Sequence, residues 1–206
     1  MRINFKFFIL LTSTLFLFIA ALPSNLLASK TEHATTLVNS LLNKVNNIQK
    51  LTDNEEKKQA EFLDLIQTYF DMDVIAKVST GPYWRIATLN EKERYTKLIT
   101  ELIADVTASN LGNMTNFEFE FKASIPKGEK MVMVSGNLLI PDQSISSIAI
   151  KWRISFLNEE VPKIIDIEFE NISMLVTQKE ENLAIIRKNG GVFSALINEM
   201  ENKLTK

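Results

Sequence analysis

The sequence predicts an α+β domain in which a four-stranded antiparallel sheet is covered by amphipathic helices. Two patterns of apolar residues predict it. Over residues 31–112 they recur every three or four positions, which is typical of helices with one buried face. Over residues 116–170 they alternate with polar residues in four successive runs, which indicates strands with one buried and one solvent-exposed face. The apolar face of such a sheet must be covered, and the helices are the available cover.

The helical half is predicted to contain four segments. They are Thr31 to about Lys50, a second from near Thr52 or Asp53 to Phe70, a short piece over Asp73–Val78, and a fourth from Thr88 to about Asn110. Thr88 and Glu91 match a capping box, in which a hydroxyl and a carboxylate bind free amides at a helix start. The inward face of the fourth helix is predicted to carry Leu98, Ile99, Leu102, Ile103 and Val106.

The four predicted strands are separated by short turns at Pro126–Glu129, Pro141–Asp142 and Asn158–Glu160. Phe117, Phe119 and Phe121 mark the inner face of the first strand, and Lys130 to Ile140 form the second. The inner faces of the third and fourth strands are predicted to carry Ile148, Ile150, Trp152, Ile154 and Phe156, and Ile165, Ile167 and Phe169. Residues 172–204 then form C-terminal helices, interrupted at Gly190–Gly191.

The first residues have the order of a secretory signal peptide. Arg2 and Lys6 are positively charged, Phe7 to Leu22 is nearly all apolar, and Ala28 is a small residue suited to cleavage. The apolar run is shorter than the roughly 20 residues of a membrane-spanning helix, although a retained anchor is the alternative. We therefore expect residues 1–28 to be removed near Ala28 and residues 29–206 to form one periplasmic domain.

The composition offers little for catalysis. The chain has no cysteine, and its single histidine, His33, is expected to be solvated at the start of the first helix. Zinc, iron–sulfur and thiol chemistry therefore lack their usual ligands, and no pair of carboxylates stands out as an acid and a base. A net charge of −2 without a basic cluster argues against nucleic acid as a partner. We expect no catalytic residue, no metal site and no cofactor.

Two patches of sequence resemble one protein family. The first is Tyr69 to Ala76, followed by Gly81-Pro82-Tyr83-Trp84-Arg85. The second is Ile165-Asp166-Ile167 before Glu170-Asn171-Ile172-Ser173-Met174, then Arg187 to Gly191. In this order they resemble the periplasmic phospholipid carriers called MlaC, also known as toluene-tolerance proteins. The chain departs from that pattern at Val161–Lys163 and Val106–Ala108, where members carry an aromatic residue, and at Asn171, where glycine is usual.

The resemblance implies a twisted sheet with an apolar cavity between sheet and helices. A phospholipid would be held as cargo, with its acyl chains inside the cavity and its headgroup near the mouth. It also implies a monomer that exchanges lipid with an inner-membrane ABC transporter complex and an outer-membrane lipoprotein complex. These contacts with membrane complexes would be transient, and the transport would maintain the lipid asymmetry of the outer membrane.

Ile172 is the first candidate for contact with lipid, because it matches a family position at the junction of the sheet and the C-terminal helices. Strand and helix periodicity adds Trp152, Ile150, Ile154, Ile165, Ile167, Phe119, Val134, Leu98, Leu102, Phe70, Val74 and Trp84. For Trp84, anchoring the Gly81 turn is an equal alternative. A core and a lipid pocket require the same residues. Another lipid such as a hopanoid, or an enzyme or dry-core adaptor on a similar fold, therefore stays open.

Overall fold

The computed structural model describes residues 23–51, 55–111, 117–139 and 147–204. In chain order its elements are α1 (Pro23–Gln49), α2 (Glu55–Tyr69), α3 (Met72–Thr80), a 3-10 turn (Gly81–Arg85), α4 (Leu89–Leu111), β1 (Glu118–Pro126), β2 (Met131–Leu139), β3 (Ser147–Ser155), β4 (Lys163–Phe169), β5 (Ile172–Ser173), α5 (Met174–Lys188) and α6 (Phe193–Leu204). Three predicted features lie outside these ranges: the apolar part of the signal up to residue 22, the helix start at residues 52–53, and the turn at residues 141–142. None of the helices in these ranges combines the length and the apolar character that a membrane span requires.

The strands form one antiparallel sheet in the order β1-β2-β3-β4-β5, which confirms the predicted α+β class. The predicted number of four strands is wrong by one, because Ile172 and Ser173 pair with β4 as a fifth, two-residue strand. Glu170 and Asn171 make this pairing possible, with φ values of 48° and 67° in the tight turn between the strands. Asparagine is among the residues that tolerate this conformation best after glycine.

A register shift in β4 reverses part of the predicted facing. Arg153 pairs with Asp166, whereas the next residue, Ile154, pairs with Ile164. Ile165 is thus an extra residue in a β-bulge, and the alternation changes phase there. Ile164 is fully buried in the core, so the prediction that Ile165 points inward is corrected, while Ile167 does lie against the core.

The first hydrophobic core lies between the sheet and helices α1 and α2. Val134, Trp152 and Ile154 from the sheet and Val38 and Phe62 from the helices are each almost completely buried. Both helices thus have the single buried face that their three- and four-residue spacing of apolar residues predicts. Trp152 also contacts Phe119 edge to face, with ring centroids 4.9 Å apart. Burying these large side chains is the main favourable term for this half of the fold.

A second core is enclosed by the helices alone. Tyr95 and Ile99 of α4 meet Ile186 of α5 and Leu196 of α6, all with no exposed surface. Met72 contacts both cores, as does Ile103. Two predicted inward positions differ: Val106 on α4 and Phe121, beside a bulge in the edge strand β1, are each about half exposed.

Side-chain caps define where several helices begin. The predicted capping box is confirmed, since the Thr88 amide donates to the Glu91 carboxylate at 2.8 Å and the Glu91 amide donates to the Thr88 hydroxyl at 3.2 Å. The Thr88 amide and the Thr88 hydroxyl, which both donate to the Glu91 carboxylate, lower the pKa of this carboxyl. Asp71 caps α3 by accepting from the Val74 amide at 3.0 Å. Each cap satisfies an amide that the helix itself leaves free.

Candidate functional site

An open groove of about 1150 Å³ lies between helices α2 and α4 and the loop that joins β3 to β4. Its apolar lining consists of Leu63, Phe70, Met72, Trp84, Leu89, Leu157 and Val161. Its polar lining consists of Gln67, Asp71, Asp73, Lys92, Glu93, Thr96, Lys97, Thr100, Glu101, Ser155, Asn158 and Lys163. The volume is slightly larger than that of most small-molecule sites, which is roughly 300–1000 Å³.

The connection between α2 and α3 forms one wall of the groove. Phe70 pairs with Ile164 as an isolated parallel bridge, and the Asp71 amide donates to the Ile164 carbonyl at 2.9 Å. This bridge attaches the connection between α2 and α3 to the start of β4, of which Ile164 is the second residue. Met72 follows Asp71 directly, lines the groove and contacts both cores. The groove therefore runs along the boundary between the two cores.

The opposite wall is the loop between β3 and β4, where Leu157 is 61% exposed and Val161 is half exposed. A buried lysine holds this loop. The Lys30 ammonium donates to the Glu159 carboxylate at 2.9 Å and to the Glu129 carbonyl at 3.0 Å. The ammonium also lowers the pKa of the Glu159 carboxyl. Helix α1 therefore ties the β1–β2 turn and the groove loop together.

Trp84 is placed on the groove by the 3-10 turn. Gly81 begins this turn at φ 56°, and a Cβ there would lie 3.3 Å from the Lys179 side chain, so glycine suits the position on both counts. The Trp84 ring packs against the second core on one side. The Lys92 ammonium lies over this ring, 5.7 Å from its centroid, within cation–π range.

The groove cations differ in what they bind. Lys97 lies 3.8 Å from the Glu101 carboxylate, and Lys163 donates to the Thr68 carbonyl. Lys92 has the Trp84 ring as its contact. Apolar side chains and separate charges of both signs thus share one lining, which suits an amphipathic ligand better than a purely apolar or purely ionic one.

The groove lacks the features of a metal site. Among the described residues, no group of three His, Cys, Asp or Glu side chains is arranged to hold a metal ion. His33 is exposed on α1. The lining contains apolar side chains, carboxylates, lysines and hydroxyls, a set suited to hold an amphipathic molecule by burial and charge.

The family model described as MlaC protein matches residues 35–202 of the sequence. The chain belongs to the MlaC family. This result confirms the resemblance based on the two patches, and the matched residues run from α1 to α6. No curated protein matches the MlaC-family chain.

The fold of this MlaC-family chain is similar to a solved structure from Ralstonia solanacearum, a phospholipid-binding protein in complex with a phospholipid. The TM-score is 0.71 and the sequence identity 18%, over 83% of this chain and 98% of the other. At this identity the likeness establishes the shared fold.

The structure distributes the predicted lipid-contact residues over several places. Phe70 and Trp84 line the groove. Six others belong to the first core or its edge: Val134, Ile150, Trp152, Ile154, Phe119 and Ile167. Leu98 and Leu102 pack against the second core, Val74 is half-buried on α3, and Ile165 lines a separate cleft of about 470 Å³. The periodicity therefore identified buried positions, and most of these residues pack in or against the two cores and do not line the groove.

Ile172 is the clearest difference from expectation. Its side chain is 59% exposed, and it does not line the groove. The physical reason is the tight turn at Glu170 and Asn171, which folds the two-residue strand β5 back on β4 at the end of the sheet. Ile172 thus lies at the predicted junction of the sheet and the C-terminal helices, but its side chain is exposed there.

Sequence reasoning missed several apolar groove residues: Leu63, Met72, Leu89, Leu157 and Val161. A signal was present for two of them, since Leu157 and Val161 flank the polar turn Asn158–Glu160. Large apolar residues in a surface loop are a reason to expect a contact site. Leu89, at the first position of α4, is likewise a large apolar residue on the surface and is 73% exposed.

Proposed function

We propose that this protein is a periplasmic carrier that binds the acyl chains of a phospholipid in the groove between α2, α4 and the β3–β4 loop. The observation that carries the proposal is the apolar lining of this groove, from Leu63 and Phe70 to the exposed Leu89 and Leu157. Membership of the MlaC family supports it. A phospholipid bound to the Ralstonia solanacearum protein of the same fold supports it further.

The energetic reason for a carrier is the cost of exposing acyl chains to water. Each methylene group transferred into water costs about 0.8 kcal/mol, so a chain of about 15 carbons costs on the order of 10 kcal/mol. A lipid therefore leaves a membrane very slowly unless a protein covers its tails. Phe70 and Trp84 are the predicted contacts that we retain for the acyl chains, because both line the groove.

The cellular role that we propose is movement of phospholipid between the inner and outer membranes, which maintains the lipid asymmetry of the outer membrane. The protein would be exported by its signal segment, would act as a monomer, and would contact the two membrane complexes transiently. An ABC transporter complex is the proposed partner at the inner membrane, and a lipoprotein complex is the proposed partner at the outer membrane. The phospholipid is cargo, and the protein would catalyse no reaction and require no cofactor.

Mass spectrometry of lipid extracted from the exported, purified protein tests this function. We expect a diacyl phospholipid in a near-stoichiometric amount. A hopanoid in its place would assign another cargo to the same groove. Protein that carries no lipid after export, and takes none up from phospholipid vesicles, would contradict the carrier function and support an adaptor with a dry core.

A further inference from the structure

We propose that Lys92 binds the phosphate of the cargo's headgroup and thereby determines that the groove selects phospholipids over other diacyl lipids. The inference rests on the carrier function proposed above and assigns one residue to the recognition of the headgroup. Lys92 lies in the first turn of α4, where its backbone amide donates to the Thr88 carbonyl at 3.0 Å. The side chain is half-buried and lines the groove.

The Trp84 ring fixes the position of the Lys92 ammonium. The nitrogen lies 5.7 Å from the ring centroid, and the ring itself is held between the groove and the second core. A cation–π contact of this kind contributes modestly at a partly exposed site. It leaves all three N–H groups of the ammonium available to an acceptor, since an aromatic face is not a conventional hydrogen-bond acceptor.

Lys92 differs from the other two lysines of the groove in its ionic partners. Lys97 is within ion-pair distance of Glu101, and Lys163 donates to a backbone carbonyl. In the part of the chain that the structure describes, no carboxylate forms an ion pair with Lys92. Its neighbour Glu91 is engaged by the amide and hydroxyl of Thr88. A cation on the lining is therefore available for an anionic ligand group.

The surroundings of Lys92 indicate which anion it would bind. Trp84 and Leu89 beside it are apolar, so an anion attached to acyl chains gains contacts that a free anion lacks. Asp73 and Glu93 lie on the same lining and oppose the approach of a free, doubly charged phosphate. A phosphate diester carries one negative charge and accepts charge-assisted hydrogen bonds from an ammonium group. The chemical class is therefore a lipid whose headgroup is joined through a phosphate diester.

Competition between two lipids with the same acyl chains tests the role of Lys92. The full protein, purified after export, is loaded from vesicles that contain phosphatidylethanolamine and diacylglycerol, and the bound lipids are quantified by mass spectrometry. For Lys92→Gln we expect the ratio of bound phospholipid to bound diacylglycerol to fall about fivefold, the effect of losing one partly exposed charge-assisted contact. Lys77→Gln is the matched control, because it removes the same charge from an exposed position of α3 outside the groove, and its ratio should stay at the wild-type value.

An unchanged ratio in Lys92→Gln would overturn the assignment, as would an equal fall in Lys77→Gln, which would indicate a general charge effect. Inorganic phosphate at millimolar concentration should leave the loading of the wild-type protein unchanged. Competition by inorganic phosphate would show a free-anion site and would also overturn the assignment. The two proposals fail in different ways. If the wild-type protein takes up neither lipid, the carrier function is contradicted. If it takes up both lipids and their ratio does not depend on Lys92, only this inference is contradicted.

Discussion

The carboxylate of Asp166 accepts a hydrogen bond from the backbone amide of Leu175, with Oδ1 and N 3.0 Å apart. Its second oxygen accepts from the Ser173 hydroxyl at 2.6 Å and lies 3.1 Å from the Arg153 guanidinium. The Asp166 side chain has no exposed surface. One buried carboxylate on β4 therefore holds β5 and the first turn of α5, where free helix amides need an acceptor.

Replacing Asp166 should destabilise the fold through this junction. Asp166→Ala leaves the Leu175 amide and the Ser173 hydroxyl without their acceptor, and we expect the free energy of unfolding to fall by about 2–4 kcal/mol. Denaturant unfolding measures the change. Glu180→Ala, which removes an exposed carboxylate from α5, should cost less than about 0.5 kcal/mol. Equal effects of the two changes would contradict the assigned junction.

Gly136 is required where β2 passes the Phe119 ring. A Cβ added to Gly136 would lie 2.2 Å from a ring carbon of Phe119 and 2.4 Å from the Glu120 carbonyl oxygen. The carbonyl belongs to the paired strand and cannot rotate away, so β1 and β2 must separate locally. We expect Gly136→Ala to lower the free energy of unfolding by about 3 kcal/mol.

Ser135→Ala is the matched control for Gly136→Ala. It changes the adjacent residue of β2 and removes the 3.3 Å hydrogen bond from the Ser135 hydroxyl to the Ala123 carbonyl. The expected cost is about 1 kcal/mol or less. Denaturant unfolding of both variants decides the point: a Gly136→Ala protein as stable as Ser135→Ala would show that the strands have room for the methyl group.

Tyr95 should make stability fall at alkaline pH. Its hydroxyl is buried in the second core, 2.8 Å from the Ser79 hydroxyl and 2.6 Å from the Asn182 amide nitrogen. Burial raises the pKa of Tyr95 to about 12, although both hydrogen bonds act to lower it. The unfolded chain, with a tyrosine pKa of about 10, therefore loses its proton first as the pH rises.

The sign follows from this order of deprotonation. Below pH 10 the tyrosine is neutral in both states, and its contribution to stability is complete. Between about pH 10 and 12 the unfolded state loses its proton first, and the free energy of unfolding falls by about 3 kcal/mol. Tyr95→Phe cannot titrate, so the advantage of the wild type over the variant in unfolding free energy should shrink over this range and then reverse in sign. At pH 7 the variant should be less stable by about 1–2 kcal/mol. A difference independent of pH between 9 and 12 would contradict the buried, neutral hydroxyl.

Local patterns in the sequence were sufficient for most of the fold. The three- and four-residue spacing predicted helices with one buried face, and the alternation in β3 placed Trp152 and Ile154 in the core. The capping box at Thr88 was also readable, because all its partners lie within one turn of helix. These features depend on residues close together in the chain or on a regular period.

Features that depend on distant contacts could not be predicted. The bulge at Ile165 shifts the phase of β4 without any turn residue to mark it. Asp166 alternates with apolar residues as an exposed residue would, yet β5 and α5 fold over it. The groove is formed by three elements far apart in sequence, α2, α4 and the β3–β4 loop, so no single segment carries its pattern.

The last prediction compares two exposed apolar residues with matched substitutions. Leu157 is 61% exposed and lines the groove, whereas Ile172 is 59% exposed and lies outside it. Because neither side chain is buried, Leu157→Glu and Ile172→Glu should both leave the melting temperature within a few degrees of wild type. Because the sequence makes Ile172 the first candidate for contact with lipid, its substitution also tests that prediction.

Lipid loading should separate these two variants. A carboxylate at position 157 would have to lose water against an acyl chain, which costs several kcal/mol, so Leu157→Glu should carry at least about tenfold less lipid. Ile172→Glu should carry as much as wild type. The measurement is the molar ratio of extracted phospholipid to protein after export. The reverse result, lipid lost from Ile172→Glu and kept by Leu157→Glu, would move the acyl chains to the junction of β5 and α5 and refute the groove as the lipid site.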